Sequence, residues 1–207
     1  MDARSLTDLG FLQWASAART IPGEMESGDI GVVEKVSDGA LIAVIDGLGH
    51  GSEAAKAASV AEKKVRECAG ESPAGIIEHC HQALKGTRGA VITVAHVNEQ
   101  RGTVAWIGVG NVEGRIWTMV PGKSLVRQAP PLRGGVVGHH LPKLNTSTLP
   151  LVRGDLIVLS TDGIRNDFHD QFRLVGTVKQ IANEVAKDYW TGTDDALVLV
   201  ARYLGSS

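Results

Sequence analysis

Three stretches of this 207-residue chain are apolar at nearly every position, and each abuts an aspartate. Leu-Ile-Ala-Val-Ile leads directly into Asp46, Leu-Ile-Val-Leu-Ser-Thr leads into Asp162, and Asp194-Asp195 open onto Ala-Leu-Val-Leu-Val. Runs this short fit buried strands better than helices. An apolar strand belongs in the interior and a carboxylate does not. The chain must therefore bury several strands while letting their aspartates emerge at a rim.

The rest of the pattern gives an order of elements. Gly31–Val36 and Leu41–Ile45 read as strands joined through Ser37-Asp38-Gly39, a hairpin signal. From Ser52 the chain turns rich in Ala, Glu and Lys, which predicts a helix capped by Ser52 and ended by Gly70. Ser72-Pro73 predicts a second helix running to Lys85. Strands are expected at Ala90–Asn98, Thr103–Val109, Arg115–Val120, Ser124–Gln128, Leu156–Ser160 and Ala196–Tyr203. Thr177–Asp188 places Val178, Ile181, Val185 and Tyr189 near one helical face. Pro130–Pro142 is a Gly/Pro/His loop without periodicity. With no repeat or linker, residues 1–207 read as one α+β domain in which antiparallel strands dominate and helices cover the sheets.

Composition narrows the function. At 43% hydrophobic residues the chain is an ordinary globular protein, able to bury roughly 70% of its unfolded surface without staples. A net charge of −2 gives no basic excess for nucleic acid or an anionic membrane surface. No apolar run approaches the roughly 20 residues of a membrane helix, and the charged N-terminus lacks a signal-peptide core. Cys68 and Cys80 are too few for a disulfide framework and lack zinc-site spacing, so they read as small apolar residues on helices. The expectation is a cytoplasmic protein with neither a nucleic-acid nor a membrane partner.

Four acidic motifs carry the chemistry: Ser27-Gly28-Asp29, Asp46-Gly47-Leu48-Gly49-His50-Gly51, Ser160-Thr161-Asp162-Gly163 and Thr193-Asp194-Asp195. Gathered at one rim, such carboxylates repel. Two charges about 4 Å apart cost roughly 4 kcal/mol at an effective dielectric near 20. Protons or a cation must relieve that cost, and hard divalent ions with oxygen ligands suit a site lacking soft ligands. Glycine beside each aspartate allows close backbone approach, which makes the Gly47 carbonyl a candidate ligand. Any single Asp-Gly pair could be a hairpin turn, as Asp38-Gly39 is read. A hairpin needs no Gly-x-Gly-His-Gly run leading into an alanine-rich helix, yet one follows Asp46.

In their order along the chain, from about residue 27 to residue 200, these motifs resemble those of the metal-dependent PPM serine/threonine phosphatases, in the compact SpoIIE-like bacterial branch. The resemblance implies a four-layer α-β-β-α sandwich: two antiparallel sheets flanked by helix pairs, with metals at one end. It implies two Mn²⁺ or Mg²⁺ ions that activate water against phosphoserine or phosphothreonine. Asp46 would bridge the ions, the Gly47 carbonyl would bind one, and Asp162 and Asp194 would bind the other. Asp29 would hold water of the metal site. Asp195, beside Asp194, is the alternative for the last ligand. The short length and the Asp-Gly-Leu-Gly-His-Gly form are similar to phosphatases that reset a bacterial stress response, which implies phosphorylated stressosome scaffold proteins as substrates.

Two departures from the larger family members shape the expectations. Many of them place a histidine two residues beyond the bridging aspartate, where this chain has Leu48, so His50 is the candidate general acid. They also carry a phosphate-gripping arginine near the first acidic motif. Here Arg19 lies ten residues before Asp29 and reads as a solvated side chain. Specificity is then expected from docking a folded partner, with Pro130–Pro142, including His139 and His140, as the recognition loop. His79 and His81 read as surface residues. One rival reading is the ATP-binding box of histidine-kinase-type ATPases, which leaves Asp162 and Asp194 unexplained. Another is a PPM fold retained only as a binding module.

Overall fold

The computed structural model describes residues 7–120, 123–129, 132–171 and 175–206. Two antiparallel sheets stack on each other. One contains β1 (Thr7–Asp8), β2 (Leu12–Arg19), β7 (Glu113–Val120), β8 (Lys123–Gln128), β10 (Leu156–Ser160) and β11 (Ala196–Tyr203), in the order β1-β2-β11-β10-β7-β8. The other contains β3 (Asp29–Val36), β4 (Gly39–Gly47), β5 (Ala90–Asn98), β6 (Thr103–Val109) and β9 (Ser147–Pro150), in the order β3-β4-β5-β6-β9. Helices α1 (Ser52–Glu67) and α2 (Pro73–Ala83) cover the second sheet, and α4 (Val178–Asp188), with the short α3 (Phe168–Gln171), covers the first. This is the expected α-β-β-α layering.

The layering explains the continuous apolar runs. On β4, Ala40, Ile42 and Val44 enter the core between the sheets, whereas Leu41, Ala43 and Ile45 enter the core under α1 and α2. β11 divides in the same way. Leu197, Leu199 and Ala201 face the other sheet, and Ala196, Val198 and Val200 face α4. A strand with apolar matter on both faces has no polar alternation to show. Each fully buried aliphatic side chain contributes roughly 1.5–3 kcal/mol, so these central strands dominate the stabilisation.

Several boundaries differ from expectation, each for a local reason. β2 was not anticipated. Its Leu-Gln-Trp-Ala-Ser-Ala-Ala-Arg sequence has weak strand propensity, and its place is fixed by eight paired positions with β11, from Leu12↔Tyr203 to Arg19↔Ala196. The edge strands β1 and β9 are too short to announce themselves. Ser52 is the first residue of α1 and not its cap: Gly51, at φ 74°, occupies the cap position and no side chain bonds there. Ser72 does cap α2, accepting from the Gly75 N–H at 3.2 Å with Pro73 behind it. Thr177 and Gln180 form a reciprocal capping box on α4. The loop at 130–142 (of which 130 and 131 lie outside the described residues) is pinned. Val137 is buried and exchanges backbone hydrogen bonds with Ala90, and the Gly110 N–H donates to the Arg133 carbonyl. Among the described residues no helix is long and apolar enough to cross a membrane.

Candidate metal centre and active site

β3 and β4 extend further than their apolar runs, and this brings the first two acidic motifs together. Asp29 and Asp46 are directly opposed partners at the end of the β3–β4 ladder. The ends of β10 and β11 meet on the other sheet, where the Thr161 N–H donates to the Leu197 carbonyl at 3.0 Å. Asp162 and Asp194 leave from these ends. A cleft of about 450 Å³ then opens at one end of the sandwich, lined by Asp46, Asp162, Asp194, Asn111, Leu48 and Gly49, among others. Residues up to 148 positions apart in the chain, Asp46 and Asp194, thus share one wall, as the apolar runs required.

Glycine is needed here for space. A Cβ on Gly47 would lie 2.2 Å from the Ala54 carbonyl oxygen, and one on Gly163 would lie 1.9 Å from the Asp195 carbonyl oxygen. The Asp-Gly pairs at 46–47 and 162–163 are therefore close approaches of backbone to backbone, with α1 in one case and the start of β11 in the other.

The carboxylates differ in environment. Asp46 is pushed up to about 9, first by burial and then by repulsion from Asp29, Asp162, Asp194 and Asp195. Asp29, only 8% exposed, is raised to about 7, mainly by burial, while a 2.7 Å hydrogen bond from the Thr161 hydroxyl opposes the rise. Burial and Asp194 raise Asp162, and the Asn111 amide, donating at 2.6 Å, opposes this. Oxygen donors with one sign of charge and no cation among the lining residues are a donor set for hard divalent ions. Among the described residues, the trio whose ligand atoms all fall within 4.8 Å of one another is Cys68, Glu71 and His79, away from this cleft. The aspartates are spread more widely than that.

Asp194 and Asp195 have different surroundings. Asp194 lines the cleft and accepts from the Asp195 N–H at 2.8 Å, while the Trp190 indole holds its carbonyl. Asp195 is 3% exposed, and its two oxygens accept from the Ile21 and Gly28 N–H groups at 2.8 and 2.7 Å. It ties the segment before β3 to the start of β11.

Other candidates lie elsewhere. His50 is exposed at the start of α1, bonded to Glu24 at 2.7 Å, and is not among the residues lining the cleft. Leu48 lines the cleft and packs on the inter-sheet core. Arg19 is half-buried rather than solvated, its Nε donating to the Ala186 carbonyl at the end of α4. His79 bonds Glu71, and His81 is tied to the loop, accepting from the Gly138 N–H at 3.0 Å. His139 donates to the Arg88 carbonyl, and Gly134 to Val136 line the cleft beside it. Cys80 is buried with its thiol pushed up to about 12, the opposite of a nucleophile. Sequence reasoning missed Asn111 and gave Thr161 no role, although Thr161 sits inside a quoted motif. Only the spatial pairing reveals that they donate to Asp162 and Asp29.

Comparison with known proteins identifies relatives of the chain and of its fold. The signature of the family Stage II sporulation protein E (SpoIIE) matches residues 37–204. Phosphoserine phosphatase RsbX of Bacillus subtilis (strain 168) is 32% identical over 168 residues, 80% of this chain and 82% of that protein. The crystal structure of RsbX in complex with magnesium superposes with a TM-score of 0.83 at 25% identity, covering 96% of this chain and 98% of the other. A solved chain described as "The bacterial stressosome: a modular system that has been adapted to control secondary messenger signaling" gives a TM-score of 0.82 at 29% identity, covering 92% and 99%.

Proposed function

The chain belongs to the SpoIIE family of metal-dependent PPM protein phosphatases, and on that footing we propose that its cleft hydrolyses phosphoserine or phosphothreonine on stressosome scaffold proteins using two divalent ions. The observation that carries this reading is the convergence of Asp46, Asp162 and Asp194 on one cleft, from both sheets. Mn²⁺ or Mg²⁺ bound there would supply an activated water and neutralise charge on the phosphoryl oxygens. Asp46 and the Gly47 carbonyl would hold one ion, and Asp46, Asp162 and Asp194 the other.

The supporting residues have separate tasks. Thr161 donates to Asp29 and accepts from the Leu197 N–H at 2.8 Å, so it fixes the Asp29 carboxylate beside Asp46, where it can orient water. Asn111 orients Asp162. Asp195 holds the backbone before β3 and leaves the ligand role to Asp194. His50, paired with Glu24 outside the cleft, takes no part as the acid in this scheme. The shared inter-sheet core supports treating residues 1–207 as one catalytic domain.

The test is phosphate release from phosphorylated stressosome scaffold proteins with and without Mn²⁺. Release that needs the ion and stops in EDTA is the expected result. Failure on these proteins, with turnover of another phosphoserine protein, would discard the substrate and keep the enzyme.

A further inference from the structure

Resting on that reading, we propose that Arg88 is the substrate-phosphate-binding residue of this cleft, gripping the phosphoryl group from the turn between α2 and β5. The cleft lining holds three carboxylates and no basic side chain. A phosphate monoester brings further negative charge, so a rim cation is needed to orient it and to favour it over water. Arg19 is turned toward α4, its Nε donating to the Ala186 carbonyl, and it is not among the residues lining the cleft.

Arg88 reaches the lining directly. Its Nη1 lies 2.8 Å from where a Cβ would stand on Gly49, a cleft-lining residue at φ 86°. Glycine at 49 therefore does two things: it accepts a backbone conformation that other residues resist, and it leaves room for the guanidinium to lie over the loop after Asp46. Among the described residues no carboxylate or carbonyl bonds that guanidinium, and Arg88 is exposed. An arginine free of partners at an acidic rim is available to an incoming anion, and its planar fork matches phosphate oxygens two at a time.

The backbone beneath it is fixed, as a gripping residue requires. The Arg88 carbonyl accepts from His139 at 3.0 Å, the Gly89 carbonyl accepts from the Leu48 N–H at 3.1 Å, and the Gly89 N–H donates to the Thr87 hydroxyl at 3.0 Å. The turn carrying Arg88 is thereby tied both to the loop that follows Asp46 and to the loop around residue 139. The Arg88 side chain extends from this held backbone into solvent at the rim.

The experiment measures inorganic phosphate binding to the Mn²⁺-loaded protein by calorimetry, alongside p-nitrophenyl phosphate hydrolysis, for wild type, Arg88→Ala and Arg88→Lys. Loss of a charge-assisted bidentate contact should weaken phosphate binding and raise KM by about 10- to 100-fold in Arg88→Ala, with partial recovery in Arg88→Lys. The Mn²⁺ affinity and the melting temperature should stay unchanged. Gly49→Ala, which displaces the guanidinium, should move phosphate binding in the same direction. Phosphate binding and KM within a factor of about two of wild type in Arg88→Ala would overturn the proposal, as would a wild type that binds no phosphate. A wild type that binds phosphate through Arg88 but hydrolyses no ester would support this assignment and count against the phosphatase reading alone.

Discussion

Asp46 is the side chain on which most depends, because it combines burial with four like-charged neighbours. Asp46→Asn removes both the repulsion and the ligand. Phosphatase activity should fall by about 100-fold or more, while the metal-free protein becomes more stable, as chemical denaturation in EDTA would show. The same environment sets a pH dependence. The folded-state value of Asp46, raised to about 9, lies above its unfolded value near 3.8, so the unfolded chain releases this proton first. The contribution is therefore fully present at acid pH and is lost as pH rises toward 9. In EDTA, stability should fall between about pH 4 and 9 by up to about 1.4 kcal/mol per pH unit, and Asp46→Asn should flatten that slope. The close approaches are equally specific. Gly163→Ala should cost about 2–4 kcal/mol by pushing the Asp195 backbone away, a loss visible in the melting temperature.

Among the secondary-structure elements, the helices and central strands were legible because their signals are local. Ser72-Pro73, the Thr177/Gln180 box and the continuous apolar runs each announce themselves in a few residues. Ser72→Ala should lower stability by about 1 kcal/mol and leave kcat/KM for p-nitrophenyl phosphate unaltered, since the cap lies away from the cleft. β2 was illegible for the converse reason: its alanines and serine become a strand only by pairing with β11, which is 177 or more residues away in the chain. The Asp194/Asp195 choice was closed to sequence for a similar reason, as it turns on which carboxylate meets the Ile21 and Gly28 amides. The expected recognition loop proved to be partly structural, because Val137 is a core residue. Deleting Gly134–His140 would open the core, so its surface residues are the better probe. Leu132→Asp combined with His140→Asp should slow turnover of a phosphoprotein about tenfold while leaving p-nitrophenyl phosphate turnover nearly unchanged.

For the assembled fold, the two-sheet sandwich turns distant sequence positions into one site. Asp29 and Asp46 belong to one sheet, Asp162 and Asp194 to strand ends of the other, and the Asp195 carboxylate locks the two together through the Gly28 amide. The binding-module alternative keeps this architecture and differs only in the absence of turnover. The ATPase alternative is set aside by the fold, which is that of the phosphatases. What decides among these is a Mn²⁺ titration followed simultaneously by calorimetry and by phosphate release from a phosphoserine protein, comparing wild type with Asp46→Asn and Asp162→Asn. Binding of two ions with release that rises in step, both lost in the variants, is the predicted result. Full turnover in EDTA, or an Asp46→Asn protein that binds Mn²⁺ and releases phosphate like wild type, would contradict it.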